Sequence, residues 1–386
     1  MILEELTYSE AHTITLAPHG ADADLIESFD AGSRTIRTLT SSEYLDIKNS
    51  CFDLLGVGEV VDNPVRRRIE LKIGGRVTTI RIWILPSRPV TISLSLTDRN
   101  EWISRRQVQL DTTLLDEIER LGSHRRGLIL ISSPSASVCR HTLAGILSSL
   151  KQRGLRSALF QRESSSPIRG ITTFDLSRDD SARILTQENL LYVTESGVDV
   201  LALDLDLDQA QILELIPLAA VEALVIVTMG SRDAIGAAQK LTQLKASPEI
   251  VNTTLEMVVA IHRAERLCPF CRKPEVLDEK RLPQVLKGSK ISNAMVFRAD
   301  GCTFCDNSGT RGGVNIYEVL NWDREKTSAS LLGLSKKSLI KKSFELGLMR
   351  PVSLEARRAL FDGVISFEEY LRLLGLKPRE PSETGT

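Results

Sequence analysis

The stretch GLILISSPSASVCRHTLAGILSSLKQRG, residues 127–154, decides the fold. Its order predicts an apolar strand, a loop of small residues over Ser133–Arg140, and then a helix. Two further apolar stretches, Val198–Leu203 and Ala223–Thr228, are each followed by a polar loop and a helical pattern. Buried apolar strands that alternate with helices are typical of an α/β domain with a largely parallel sheet.

The first hundred residues predict mixed α and β structure. Residues 69–83, IELKIGGRVTTIRIW, contain two strand-like runs around Gly74 and Gly75, which predicts a hairpin. Apolar and polar residues alternate over Val90–Leu96, as in a half-buried strand. Tyr44–Leu55 has apolar residues at helical spacing.

The C-terminal part predicts helices only after Tyr317. Ser366 and Glu369 form a capping-box pattern at the start of the last of these helices. Residues 377–386 are polar and contain proline, so we predict a disordered tail.

Composition excludes several classes of protein. A chain of 386 residues favours two or three domains, and six cysteines are too few for a disulfide scaffold. A net charge of −1 gives no global attraction to nucleic acid or anionic membrane. No apolar run reaches the ~20 residues of a membrane-spanning helix, and the start lacks a secretory signal pattern. These features predict a soluble protein of a reducing, intracellular compartment.

Four cysteines form two C-x-x-C pairs, Cys268-Pro-Phe-Cys271 and Cys302-Thr-Phe-Cys305. Two such knuckles can complete a tetrahedral all-thiolate zinc site, which would be structural because no coordination position stays open. Gly309, after the second pair, suits a turn with positive φ. Two redox pairs, or a chance pattern, are the alternatives. Cys51 lies in a helical apolar stretch and is interpreted as a packing residue.

The strand-loop-helix at residues 127–154 fails the test for a P-loop, G-x-x-x-x-G-K-[ST]. Ser133 and Val138 occupy the glycine positions, and Cys139 and Arg140 occupy the Lys and Ser/Thr positions. Without glycines the loop is poorly suited to turning its N–H groups toward a phosphate. The residues left for nucleotide contact in this degenerate P-loop are Ser133, Ser135, Ser137, Cys139 and Arg140. The alternative is that the frame shifts by one or two residues, so that Arg140 or Thr142 replaces a missing P-loop group.

Several segments together resemble the type II secretion and type IV pilus assembly ATPases, the general secretion pathway protein E group. That family carries R-L-C-P-x-C-K-x-P, then a gap, then G-C-x-x-C-x-x-x-G-Y-x-G-R-x-G-I-Y-E-L-L. This chain has RLCPFCRKP at 266–274 and GCTFCDNSGTRGGVNIYEVL at 301–320. Residues 74–86, 127–131 and 223–234 also resemble family segments, and the resemblance covers roughly residues 10–376.

The departures from the family pattern fall at the residues that bind and hydrolyse nucleotide in the family. The phosphate-binding Lys and the Mg²⁺-binding Thr are replaced by Cys139 and Arg140, and the His of the family's H-T-N segment is Gly230. The stretch Asp199–Asp208 corresponds loosely to the Walker-B-like stretch but lacks its glutamate, with Asp204 or Asp206 nearest to that position.

Two further differences concern the N-terminal domain. The Gly-Glu pair that follows L-P-T in the family is absent after Leu85-Pro86. The resemblance implies that Arg76 and Arg81 face nucleotide phosphates, although both are equally consistent with solvated strand residues.

The resemblance implies an α/β fold of five segments. These are an N-terminal α+β domain (1–105), a RecA-like P-loop-type core (106–262), a tetracysteine zinc subdomain (263–318), a C-terminal helical subdomain (319–376) and the tail (377–386). Zinc is the expected cofactor, and Mg-ATP is expected to bind weakly or not at all.

The resulting functional prediction is a pseudo-ATPase that acts as a scaffold or regulatory subunit of a secretion or pilus machine. Expected partners are copies of itself or relatives, as in a hexameric ring, and platform proteins at the inner membrane, on its cytoplasmic side. One alternative is an active motor that uses Arg140, or Arg76 or Arg81 of a neighbouring copy. The other is a zinc-containing nucleic-acid-binding protein with a basic face at Lys336, Lys337, Lys341 and Lys342.

Overall fold

The computed structural model describes residues 13–20, 22–29, 32–58, 60–73, 76–96, 111–162, 168, 170–176, 184–205, 207, 211–212, 215, 222–243 and 247–377. The chain divides into two compact units, residues 1–102 with 164–166 and residues 103–163 with 167–386. Both units combine helical and strand elements, so the predicted α/β fold class is confirmed. Among the described residues, no helix combines the length and the apolar character needed to cross a membrane.

Within its described residues, the first unit is an antiparallel sheet with one helix. Its elements are β1 (Thr13–His19), β2 (Asp22–Phe29), β3 (Gly32–Leu39), α1 (Ser41–Leu55), β4 (Val65–Ile73), β5 (Arg76–Leu85) and β6 (Thr91–Leu96). The strand order is β3-β2-β1-β6-β5-β4. The core lies where α1 covers alternate strand residues such as Ile14, Ile82 and Leu94, each at most 1% exposed.

Local signals explain this unit. Ile73 pairs opposite Arg76, so the predicted hairpin is confirmed, while Gly74 and Gly75 lie outside the described residues. Helix α1 starts at a reciprocal capping box between Thr40 and Glu43. It ends at Gly56, whose φ of 61° is easily adopted by glycine.

The second unit is built on an eight-stranded sheet. Its strands are β7 (Gly127–Ser132), β8 (Ser157–Arg162), β9 (Thr172–Leu176), β10 (Val200–Asp204), β11 (Leu224–Met229), β12 (Leu255–Leu267), β15 (Thr310–Asn321) and β16 (Met349–Arg350). The order is β16-β15-β12-β7-β11-β10-β8-β9. All pairs from β12 to β9 are parallel, and β15 and β16 are antiparallel at one edge. The predicted, largely parallel sheet is confirmed.

Helices pack on this sheet, and two further helices follow its last strand in the chain. They are α2 (Thr112–Ser123), α3 (Ala136–Gln152), α4 (Gln187–Glu195), α5 (Ala234–Gln243), α6 (Pro248–Thr254), α7 (Ala329–Leu332), α8 (Lys336–Glu345), α9 (Val352–Phe361) and α10 (Phe367–Leu373). Between β12 and β15 lies the cysteine-bearing segment, with the short strands β13 (Lys273–Val276) and β14 (Met295–Arg298) and three 3₁₀ turns.

Two local predictions were wrong. Helix α3 begins at Ala136, inside the predicted loop, because Ala136–Arg140 contains no glycine or proline to prevent helical geometry. The chain after Tyr317 is not helical only, since β15 continues to Asn321 and β16 follows later. Strand β15 is buried on successive residues here and therefore shows no alternation.

The capping box at α10 is half formed. The Ser366 hydroxyl accepts the Glu369 N–H at 3.2 Å, as predicted. The Glu369 carboxylate instead accepts the Glu265 N–H at 2.6 Å and pairs with Arg372. The tertiary contact has replaced the local one.

Candidate functional site

Residues Ser133–Arg140, the frame of the degenerate P-loop, form a short turn followed by the start of a helix. Only Ser133–Ser135 separates β7 from α3, so the last five frame positions are helical. The Ser135 N–H donates to the Ser133 hydroxyl at 3.3 Å, and the hydroxyls of Ser135 and Ser137 are 3.1 Å apart. The turn thus satisfies these groups internally and does not form a glycine-rich cradle.

Val138 and Cys139 belong to the core beneath this turn. Their exposures are 3% and 2%, and the Cys139 thiol faces the Ile131 carbonyl at 3.9 Å. Burial, with a further contribution from Asp204, raises the pKa of Cys139 to about 12. A neutral, buried thiol cannot replace the cationic Lys that a P-loop extends toward phosphate.

Arg140 is bound to an acidic side chain at the end of a neighbouring strand. Its Nε lies 2.5 Å from Oδ2 of Asp204, the last residue of β10. The other carboxylate oxygen of Asp204 accepts the Thr228 hydroxyl at 2.9 Å. The Asp204 side chain is 5% exposed and both of its oxygens are hydrogen-bonded, while the Arg140 side chain is 28% exposed, so the ion pair is buried at its carboxylate. Asp206 lies outside the described residues.

The four predicted zinc ligands converge on one point. All four sulfurs lie within 4.8 Å of one another, with separations of 3.9 Å for Cys268 and Cys302 and 3.7 Å for Cys271 and Cys305. A tetrahedral site with Zn–S bonds of about 2.3 Å requires sulfurs about 3.8 Å apart. The spacing therefore fits a zinc ion held by four thiolates.

Backbone N–H groups donate to two of the four sulfurs, although burial and the neighbouring thiols raise the pKa of Cys271 to about 12 in the absence of metal. Cys305 accepts N–H groups from Cys302 and Gly309, each at 3.3 Å, and Cys271 accepts the Gly301 N–H at 3.3 Å. Burial opposes ionisation of Cys305, but these N–H groups and the neighbouring thiols outweigh it and lower its pKa to about 6. Gly309 has φ 73°, as predicted. The local structure is therefore prepared for metal, as ligand-orienting contacts are in structural sites.

Comparison with known proteins shows similarity to secretion system proteins and pilus assembly ATPases. Residues 215–372 match the Type II/IV secretion system protein family. The chain is 25% identical over 336 residues to the type IV pilus assembly ATPase PilB of Myxococcus xanthus. It is 27% identical over 329 residues to the type II secretion system protein E of Aeromonas hydrophila. The chain is similar to the type II secretion and type IV pilus assembly ATPases. The resemblance predicted from the sequence is confirmed.

The alignments cover unequal shares of the proteins. They take in 84% and 80% of this chain but 59% and 61% of the two relatives, so the chain spans about three fifths of their length. The family match begins at residue 215 and so does not include the frame Ser133–Arg140.

Solved structures share the fold. The ATPase DotB of Yersinia pseudotuberculosis has a TM-score of 0.64 at 17% identity, covering 96% of this chain and 91% of that one. The pilus retraction motor PilT with bound ADP has a TM-score of 0.58 at 14% identity, covering 99% and 96%. These likenesses confirm the fold class.

The two N-terminal arginines that match family positions are only partly described. Arg76 starts β5, and its side chain lies outside the described residues. The Arg81 guanidinium carbon lies 5.4 Å from the centre of the Trp83 ring, and that of Arg66 lies 6.0 Å from the same ring. Contact of Arg76 and Arg81 with phosphates stays a prediction.

The segment that matches the family's H-T-N-D-A forms a helix start occupied by carboxylates. Asp233 accepts the Gly236 N–H at 2.7 Å and binds Lys336 at 2.5 Å. Glu318, which is 5% exposed, accepts the Ala234 N–H at 2.8 Å. These acids satisfy the first N–H groups of α5, so this helix start is not available to a phosphate. Sequence reasoning missed Glu318 because its partner is 84 residues away.

His262 lies against this cluster and is expected to make stability sensitive to acid. Its Nε2 is 3.9 Å from Glu318, with Asp233 and Arg372 also nearby. Burial lowers the pKa of His262 below 6.5, with Asp233 opposing and Arg372 adding to the shift. The unfolded chain therefore takes up a proton at a pH where the folded chain does not, and stability falls as the pH drops below 6.5.

The variant His262→Gln should lose less stability than wild type when the pH is lowered from neutral to below 6.5. Urea denaturation at several pH values measures this difference. His124→Gln, at an exposed helix end, is the control and should behave as wild type. Equal losses in wild type and His262→Gln would contradict the assignment.

Proposed function

We propose that this chain is a pseudo-ATPase of the type II secretion and type IV pilus assembly ATPase family. It serves as a scaffold or regulatory subunit of such a machine and does not hydrolyse ATP. The observation that carries the proposal is the ion pair between Arg140 and Asp204, since Arg140 stands at the frame position where the family pattern has its Mg²⁺-binding Thr.

Phosphoryl transfer depends on groups that position and neutralise the phosphates. Mg²⁺ requires oxygen ligands, usually one or two carboxylates with a hydroxyl and phosphate oxygens. Here the hydroxyl position of the frame is Arg140, and both oxygens of Asp204 are already hydrogen-bonded. An internal cation thus replaces the metal, and Cys139 supplies no charge for the phosphates.

The tetracysteine site supports a structural role. Four cysteine ligands would leave no open position on zinc, so the metal would stabilise its segment and perform no chemistry. The zinc segment and the N-terminal unit are the surfaces that we assign to partners, with copies of this chain or relatives, in a hexameric ring, and inner-membrane platform proteins as candidates. This assigns the chain to the cytoplasmic side of the inner membrane.

The nucleic-acid alternative is disfavoured by the charges on α8. Lys336 is bound to Asp233, while Lys341 and Lys342 both lie within ion-pair distance of Glu345. Two carboxylates of the chain thus offset part of the charge of the four lysines, which reduces the uncompensated basic surface that nucleic-acid binding requires.

The proposal predicts no ATP turnover by the purified full chain. Phosphate release from Mg-ATP should equal the protein-free blank, and the variants Arg140→Ala and Arg140→Lys should not change it. A type IV pilus assembly ATPase measured in parallel provides the positive control. Turnover by wild type that Arg140→Ala abolishes would establish the alternative, a motor that uses Arg140.

A further inference from the structure

We propose that Phe270, Phe304 and Arg311, here called the knuckle patch, form a docking surface for an acidic segment of a partner protein. The segment would insert an apolar or aromatic side chain against the two phenyl rings and a carboxylate against the arginine. This assignment rests on the proposed scaffold function and names the chemistry of the partner.

The two phenylalanines occupy equivalent positions in the cysteine pairs. Each directly precedes the second cysteine of its pair, at 271 and 305. Phe270 is 72% exposed and Phe304 is 44% exposed, and their rings meet edge to face with centroids 4.3 Å apart. A metal-bound knuckle would hold both rings in place, so little side-chain entropy is lost when a partner covers them.

Arg311 gives the patch its charge. Its guanidinium carbon lies 4.1 Å from the centre of the Phe304 ring, and the group also donates to the Phe304 carbonyl. Within the described ranges Arg311 makes no ion pair, whereas the nearby Lys273 and Arg298 both pair with Asp300. A fixed arginine without a carboxylate partner matches a carboxylate supplied by another molecule.

Apolar exposure is concentrated in the same segment. Of the sixteen large hydrophobic residues exposed in the described parts of the chain, five lie between residues 263 and 318. They are Phe270, Val276, Val285, Met295 and Phe304. Val276 and Met295 are register partners in the β13–β14 hairpin. Exposed aromatic residues beside an arginine have the composition of interface hot spots.

The charge pattern favours a protein over nucleic acid or lipid. Those ligands require clusters of several uncompensated cations. The patch offers one arginine beside two phenyl rings, which fits one carboxylate and one apolar anchor of a peptide.

A phage-displayed library of random short peptides, selected on the full zinc-loaded chain, tests the assignment. Enriched peptides should combine Asp or Glu with a Phe, Leu or Trp. The selected peptide should bind the double variant Phe270→Ser/Phe304→Ser about tenfold or more weakly. Arg311→Glu should weaken it by a similar factor, and should improve binding of a matched peptide with Lys in place of its acids. Phe344→Ser, which alters a 48% exposed phenylalanine on α8, is the control and should leave binding unchanged.

Each variant must first retain wild-type zinc content, which separates loss of the patch from loss of folding. Enrichment of no peptide, enrichment of basic peptides, or equal binding by Arg311→Glu would overturn the acidic partner. Self-association that the double variant removes would make a second copy the occupant and would also overturn it. ATP turnover is measured separately, so failure of the patch and failure of the pseudo-ATPase assignment are distinguishable.

Discussion

Substitution of Cys305 by Ser is expected to remove zinc from the chain and to unfold the cysteine-bearing segment. Cys305 is 3% exposed and accepts two backbone N–H groups, so its loss affects both the metal and the turn around it. Structural zinc contributes roughly 10–16 kcal/mol of apparent binding free energy in small zinc domains. Loss of even part of this binding free energy should lower the midpoint temperature of thermal unfolding by roughly 10 °C.

Elemental analysis and thermal unfolding of the purified chain measure this effect. Wild type should contain one zinc per chain, and Cys305→Ser close to none. Cys51→Ala is the matched control, because Cys51 is also buried but lies in the first unit, outside the cluster. Wild type with well under one zinc per chain, or a fully loaded Cys305→Ser, would rule out the zinc assignment.

Replacing Arg140 by Ala is expected to lower the free energy of unfolding by about 3 kcal/mol, because a buried carboxylate is left without its cation. Asp204 would keep only the Thr228 hydroxyl as a partner. The double variant Arg140→Ala/Asp204→Ala removes the charge as well and should be more stable than Arg140→Ala alone.

Urea denaturation measures both variants, and Arg125→Ala provides the matched surface control. Arg125 pairs with Asp199 at 3.0 Å; its side chain is 64% exposed, and Asp199, at 11% exposure, also accepts the backbone N–H of Arg156 at 2.9 Å. Removal of such a pair should change stability by no more than about 1 kcal/mol. If Arg140→Ala and Arg125→Ala lower the free energy of unfolding by the same small amount, then Arg140 does not form the ion pair with a buried Asp204.

The elements that a local pattern specifies were predictable from the sequence. The strand Gly127–Ser132 and the hairpin around Gly74 and Gly75 follow from runs of apolar residues and from turn glycines. The tetracysteine cluster follows from the spacing of two knuckles, and the four sulfurs do meet.

Features that depend on distant partners were not predictable. Arg140 and Asp204 are 64 residues apart, and only the adjacency of β7, β11 and β10 brings their side chains together. The Glu369 carboxylate could cap its own helix but accepts the backbone N–H of Glu265, 104 residues away, because the tertiary contact competes with the local one. The start of α3 was predicted too late. The sequence predicts a loop over Ala136–Arg140, but without the glycines of a true P-loop these residues form the first turn of the helix.

We propose that the ion pair between Arg140 and Asp204 takes the place of bound nucleotide and Mg²⁺ in this chain. Calorimetric titration of the purified full chain with Mg-ATP tests it most directly. We expect no binding heat, or a dissociation constant of about 1 mM or weaker. Micromolar affinity with one nucleotide per chain would contradict the claim.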